Sequence, residues 1–132
     1  MKPEELLYAE SHEWVHVSEE DGAKVATIGI SAFAVEQLTD LVYMELPEVG
    51  RQVEAGAEIG EVESVKAVSP LYSPVPGEIT AVNTSLPDHL ETLTADPYST
   101  GWIVKVRLSD ESALNNLMDF AAYQKQCESE AS

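Results

Sequence analysis

His12–Val17 (HEWVHV) and Lys24–Ile30 (KVATIGI) are short runs rich in β-branched and aromatic residues, and the Asp21-Gly22 pair between them signals a tight hairpin. Ser31–Leu38 (SAFAVEQL) breaks the alternation. Ser31 is placed to cap a short helix that buries Ala34, Val35 and Leu38. Leu41–Pro47 (LVYMELP) returns to strand character and stops at its proline. Punctuating residues then crowd the chain: Gly50, Gly56, Gly60, Pro70, Pro74, Pro76 and Gly77, with runs such as AEIGEVES, AVSPLYS and EITAVN between them. The spacing of Gly50, Val53, Gly56 and Ile59 suits two tight turns joined by a short strand. DPYSTGW (Asp96–Trp102) is a further turn. WIVKVRL then alternates, with Trp102, Val104, Val106 and Leu108 facing one way and Ile103, Lys105 and Arg107 the other.

The C-terminal end changes period. Ser109 precedes DESALNNLM and Asp119 precedes FAAYQKQCESE, each in a capping position. Leu114, Leu117 and Met118, then Phe120, Tyr123 and Cys127, form the apolar sides, and the last residues are expected to fray. Many short strands with regular turn signals predict a mainly β sandwich or barrel carrying short helices. The 132 residues are read as a single domain 1–132, its core at about 8–108 and its C-terminal helices at about 110–129.

Composition narrows the partners. The apolar fraction of 44% suits a globular protein, and the 7 basic against 24 acidic residues leave a net charge of −17. Nucleic acid and anionic membranes are disfavoured by repulsion, whereas basic patches on other proteins are favoured. Cys127 is the single cysteine, so no internal disulfide forms and a reducing compartment is expected. No apolar run approaches a membrane span, and MKPEELLYAE resembles neither a signal peptide nor a transit peptide. A bacterial cytoplasmic protein is expected, or a mitochondrial matrix one if this is a processed eukaryotic form. The free protein is expected to be a monomer.

A search for catalytic chemistry finds no constellation. His12, His16 and His89 lack metal-ligand spacing, no CxxC occurs, and no glycine-rich phosphate loop opens a helix. No serine sits in a nucleophile elbow. One residue stands out by isolation. Between Lys24 and Lys105 the chain holds twelve carboxylates but only Arg51 and Lys66 as fixed cations. Glu61 and Glu63 would stabilise the Lys66 ammonium, which argues against a Schiff-base nucleophile. Alternation turns Val62 inward and puts a reversal at Ser64, Val65 and Lys66, so the amine projects into water from a hairpin tip. Taken by itself, that pattern describes either an attachment point or an ordinary exposed lysine.

The same residues resemble a known family. SHEWV (Ser11–Val15), ATIGIS (Ala26–Ser31), VYMELPEVG (Val42–Gly50), GEVESVKAVSPLYSPVPGEI (Gly60–Ile79) and DPYSTGWIVKV (Asp96–Val106) are similar, in order and spacing, to the H proteins of glycine cleavage systems. The resemblance runs from about Tyr8 to Tyr123. It implies a lipoyl-carrier fold, a flattened β barrel (barrel-sandwich hybrid) of two antiparallel sheets with a short internal helix and C-terminal helices. It also implies lipoic acid in amide linkage on Lys66, within the attachment motif Glu63, Ser64, Val65 and Ala67. Such a carrier is not itself an enzyme. It takes an aminomethyl group from glycine decarboxylase (pyridoxal phosphate), passes it to an aminomethyltransferase (tetrahydrofolate), and is reoxidised by dihydrolipoamide dehydrogenase (FAD, NAD). A lipoate-attaching enzyme loads the lysine. Because the cargo carries an ammonium that water would release, a groove with a carboxylate is expected, and Ser11 and Glu13 are the candidates for it.

The chain departs from the family pattern at Thr39 and Ser99, where glycine is common, at Thr94, where asparagine is common, and at Pro70, where an acidic residue is frequent. Pro70 removes a backbone donor near the carrier lysine. Biotin carriers flank their lysine with methionines; here Val65 and Ala67 stand there. Lipoyl domains of 2-oxo-acid dehydrogenases show an aspartate before the lysine and lack SHEW and the terminal helices. An H-like lipoyl relay and an unmodified all-β interaction module remain the alternatives, the second distinguished by intact mass.

Overall fold

The computed structural model describes residues 2–38 and 40–131. Among these residues nine strands form two antiparallel sheets. The larger sheet runs β1 (Leu7–Tyr8), β2 (Glu13–Glu20), β3 (Ala23–Ile30), β9 (Val104–Leu108), β8 (Gly77–Val82), β5 (Gln52–Val53) in spatial order. The smaller is β4 (Leu41–Glu45), β6 (Glu58–Ser64), β7 (Val68–Tyr72), with β6 in the centre. Among the described residues no strand ladder joins the sheets into a closed barrel. They face each other across a core of Val15, Ile28, Met44, Val62, Leu71, Ile79 and Val106, matching the flattened, two-sheet expectation.

The hairpin β2–β3 forms as the Asp-Gly signal predicts. Asp21 and Gly22 both take positive φ, 53° and 79°, which matches the right-handed twist of the flanking strands. Ser31 caps α1 (Ala32–Leu38) by accepting the Ala34 N–H at 3.2 Å, and Val35 is the helix's buried residue. Gly50 and Gly56 carry positive φ at the two turns that bracket β5.

Three details differ from the sequence reading. Ile103 lies just before β9 and is buried, so clean alternation begins only at Val104. The segment after β9 is a 3₁₀ helix over Glu111–Asn116, capped by Asp110 rather than Ser109 through the Ser112 N–H at 2.9 Å. A 3₁₀ turn at Leu86–Asp88 and a short helix α2 (Glu91–Ala95), both without a clear period, complete the β8–β9 connection.

Strand alternation gives β2 two covered faces. Val15 points into the space between the sheets, whereas Trp14 points outward beneath α3 (Phe120–Ala131). Asp119 caps α3 through the Ala122 N–H at 2.9 Å. Tyr123 stacks on Tyr8 with ring centroids 4.3 Å apart, and the indole N–H of Trp14 donates to the Pro97 carbonyl at 2.9 Å. A second apolar cluster of Leu6, Tyr8, Trp14 and Tyr123 thus ties both chain ends to the outer side of the large sheet.

Candidate functional site

The β6–β7 ladder pairs Val62 with Ser69 and Glu63 with Val68, which leaves Ser64, Val65, Lys66 and Ala67 to turn the chain. The Ser64 side chain organises that turn. Its Oγ accepts the Lys66 and Ala67 N–H groups at 3.3 and 3.2 Å, while its own backbone N–H donates to the Ala67 carbonyl at 2.8 Å. The Val65 N–H donates to the Asp40 carbonyl at 3.0 Å, which fastens the tip to the approach of β4. Val62 is buried and Val65, Lys66 and Ala67 are exposed, as alternation predicts. Among the described residues the Lys66 ammonium has no ion-pair partner, Glu61 and Glu63 included. The amine is open to acylation, so the residues present fit an amide-linked arm.

A cleft of about 250 Å³ lies beside this hairpin. Ser11, His12 and Glu13 line one wall, Phe33, Ala34 and Gln37 of α1 another, and Ser69, Pro70 and Leu71 of edge strand β7 the third. Glu13 is 2% exposed. It shares the inward face of β2 with Val15, and that period-two placement, visible in the sequence, is the signal that it is not a surface acid. One carboxylate oxygen accepts the Ser11 hydroxyl, and the other accepts the Tyr72 N–H at 3.3 Å. Burial pushes the Glu13 carboxyl up to about 7, against the opposing pull of the Ser11 and Tyr72 bonds. Ser11 and Glu13 are therefore brought together in one cavity next to the hairpin.

The cleft also holds groups that sequence reading missed. His12 bonds through Nδ1 to the Tyr123 hydroxyl at 2.7 Å and through Nε2 to Glu130 at 3.1 Å. Glu130 reaches the cleft only because α3 folds back across the N-terminal segment, and nothing in its local sequence marks it. Pro70 sits on an edge strand, where a missing donor is tolerated. It has the parity of Tyr72, whose N–H points away from β6 to Glu13, so Pro70 deprives the cleft of a donor and not the ladder.

The other departures lie elsewhere. Thr94 borders a second cleft with Glu36, Asp40 and Glu91; Ser99 accepts the Trp102 N–H at 3.2 Å; Thr39 lies outside the described residues. Among the described residues no group of three or more His, Cys, Asp or Glu side chains is arranged to hold a metal, and no helix is long and apolar enough to cross a membrane.

Comparison with known proteins agrees with this geometry. The profile of the family described as glycine cleavage H-protein matches residues 6–130. The glycine cleavage system H protein of Rhodopirellula baltica is 69% identical over 125 residues, covering 95% of this chain and 94% of that protein. That of Alcanivorax borkumensis is 54% identical over 128 residues, with 97% of each chain covered. Among solved structures, a glycine cleavage system H protein from Mycobacterium marinum superposes with a TM-score of 0.83 at 38% identity, covering 95% of this chain and 98% of that one.

Proposed function

This chain belongs to the glycine cleavage H-protein family and is a lipoyl carrier component of the glycine cleavage system, and on that premise we propose that Lys66 is the residue that bears the lipoyl group. The observation that carries the assignment is the exposed Lys66 amine, free of any ion pair among the described residues, on a turn held by Ser64 and Asp40. Glu63, Ser64, Val65 and Ala67 shape the motif presented to the attaching enzyme. The lipoyl group would supply a disulfide that accepts glycine's aminomethyl carbon and is recovered by oxidation of its dithiol. The chain itself is non-catalytic, acts as one carrier domain over residues 1–132, and works in the cytoplasm. Its partners are the pyridoxal-phosphate decarboxylase, the tetrahydrofolate-dependent aminomethyltransferase, the FAD- and NAD-dependent dihydrolipoamide dehydrogenase and a lipoate-attaching enzyme.

The cleft supplies what a cargo ammonium needs. Glu13 presents a carboxylate whose two oxygens are already oriented by Ser11 and Tyr72, so little reordering is required to accept a cation. A cation entering the cleft stabilises the ionised form of Glu13 and draws its pKa down from about 7. The β7 edge is roughly 7 Å, two residues, from Val68 to Pro70, which puts the cleft within range of an extended arm on Lys66. Ser11 lines the same cleft and steadies Glu13 by donating its hydroxyl to the carboxylate. The test is intact-mass and peptide mass spectrometry of protein made with lipoate. Wild type should gain one lipoyl group on the Lys66 peptide and Lys66→Arg should gain none. A wild type that stays unmodified beside an active ligase would instead mark an unmodified interaction module.

A further inference from the structure

The outer face of the small sheet carries an apolar ledge beside Lys66. Tyr43, Glu63 and Val68 are directly paired across β4, β6 and β7, so their side chains share the outward face, while the next row, Met44, Val62 and Ser69, points inward. A register shift between Leu41 and Tyr43 leaves Val42 exposed as well. Val42, Tyr43, Val65 and Val68 are 55%, 49%, 67% and 58% exposed, and two of the four flank the lysine within two residues. Four large apolar side chains in such an acidic surface call for a covering partner.

Resting on the assignment of Lys66 above, we propose that this ledge is the docking surface of the lipoate-attaching enzyme, which covers Tyr43, Val65 and Val68 with an apolar ledge of its own and meets the surrounding carboxylates with arginine or lysine. Reach selects this partner over the others. Enzymes that act on the cargo meet the far end of a long arm. The attaching enzyme must bring its acyl donor to Nζ, which a lysine side chain holds only roughly 6 Å from its own Cα. Its surface must therefore pass over the neighbours of Lys66. The bond formed is Nζ to the lipoyl carbonyl carbon; the bond broken joins that carbon to the activating group, an adenylate whose AMP leaves, and the amine proton passes to solvent or an enzyme base. Charge points the same way. Glu63 stands within the ledge, between Tyr43 and Val68, and Glu45 and Glu61 lie beside it, none with a Lys or Arg partner among the described residues. The Glu61 carboxyl is pushed up, first by its own desolvation and then by the charges of Glu63 and Glu45, a crowding that an incoming cation relieves.

The test uses the full chain, a purified lipoate–protein ligase, lipoate and ATP. The double variant Val65→Ser, Val68→Ser and, separately, Tyr43→Ser should each lose roughly tenfold in kcat/KM for amide formation, carried mainly by KM. Val49→Ser, equally exposed but beyond the far end of β4, should behave as wild type. Glu61→Gln should flatten the salt dependence of the ligation. Once driven to full modification with excess ligase, the variants should be reduced by dihydrolipoamide dehydrogenase at the wild-type rate. Wild type modified at Lys66 with both ledge variants unaffected would overturn the ledge and leave the Lys66 assignment standing. So would an equal loss at the dehydrogenase. No modification of wild type at Lys66 would overturn both.

Discussion

The Glu13 carboxylate accepts the backbone N–H of Tyr72 at 3.3 Å, so a side chain from the large sheet closes the free edge of the small one. The bond satisfies a donor that no strand pairs with, and it fixes the acid at the cleft beside the carrier hairpin. One buried group is thus both a link between the sheets and a carboxyl of the cleft.

Glu13 makes stability depend on pH in an unusual direction for a carboxylate. Its folded pKa of about 7 lies above its ordinary 4.5, so the folded state binds the proton more tightly than the unfolded chain does. Stability from this group is fully present below about 4.5 and is lost as pH rises through about 7. The full span is of the order of 3 kcal/mol. Urea unfolding of wild type and Glu13→Gln from pH 4 to pH 8.5 should show the difference between them shifting in favour of the variant as pH rises. Parallel curves would contradict the shifted pKa.

Cargo retention should follow the same carboxylate. Glu13→Ala removes a charged acceptor whose hydrogen bond to an ammonium is expected to contribute about 1.5–3 kcal/mol, so loaded protein should release ammonia roughly tenfold faster or more. In wild type, release should quicken as pH falls through the Glu13 pKa, which the bound ammonium holds below the value of about 7 found in the empty cleft. The check is ammonia release from purified loaded protein over time. Release at one rate in wild type and variant would remove Glu13 from this role.

Trp14 lies against Gly29 on the paired strand. A Cβ at Gly29 would sit 2.6 Å from two carbons of the indole, and Trp14 is fully buried with its N–H held by Pro97. Gly29→Ala should therefore destabilise the fold by about 1–3 kcal/mol, with a change in tryptophan fluorescence as the ring shifts. Urea titration followed at the two tryptophans measures both effects.

Tyr123 anchors α3 by its hydroxyl as well as its ring. The hydroxyl meets Ser31 Oγ and His12 Nδ1, and Tyr123→Phe leaves those partners to find others. A loss of about 1–3 kcal/mol is expected. Hydrogen exchange should show it as earlier opening of 120–131, with the Tyr8 stack retained. Unchanged protection of that helix would show that the ring alone holds it.

Local pattern was enough to locate the hairpin signalled by Asp21-Gly22, the Ser31-capped helix and the exposed turn at Lys66, because each depends on period two, on a cap or on residues that tolerate positive φ. Motif resemblance then supplied lipoate, which no periodicity contains. Ile103 and the 3₁₀ segment at Glu111–Asn116 escaped that reading: burial of Ile103 and the choice of Asp110 over Ser109 as cap depend on what the rest of the chain packs against them. The cleft belongs wholly to tertiary structure. Ser11 and Glu13 come from β2 and the turn before it, Pro70 from β7 and Glu130 from α3, and only the stacking of two sheets and the return of the C-terminal helix bring them to one cavity. Alternation along β2 could already set Glu13 inward. Its raised pKa needed the opposing sheet, because desolvation is made by neighbours distant in sequence.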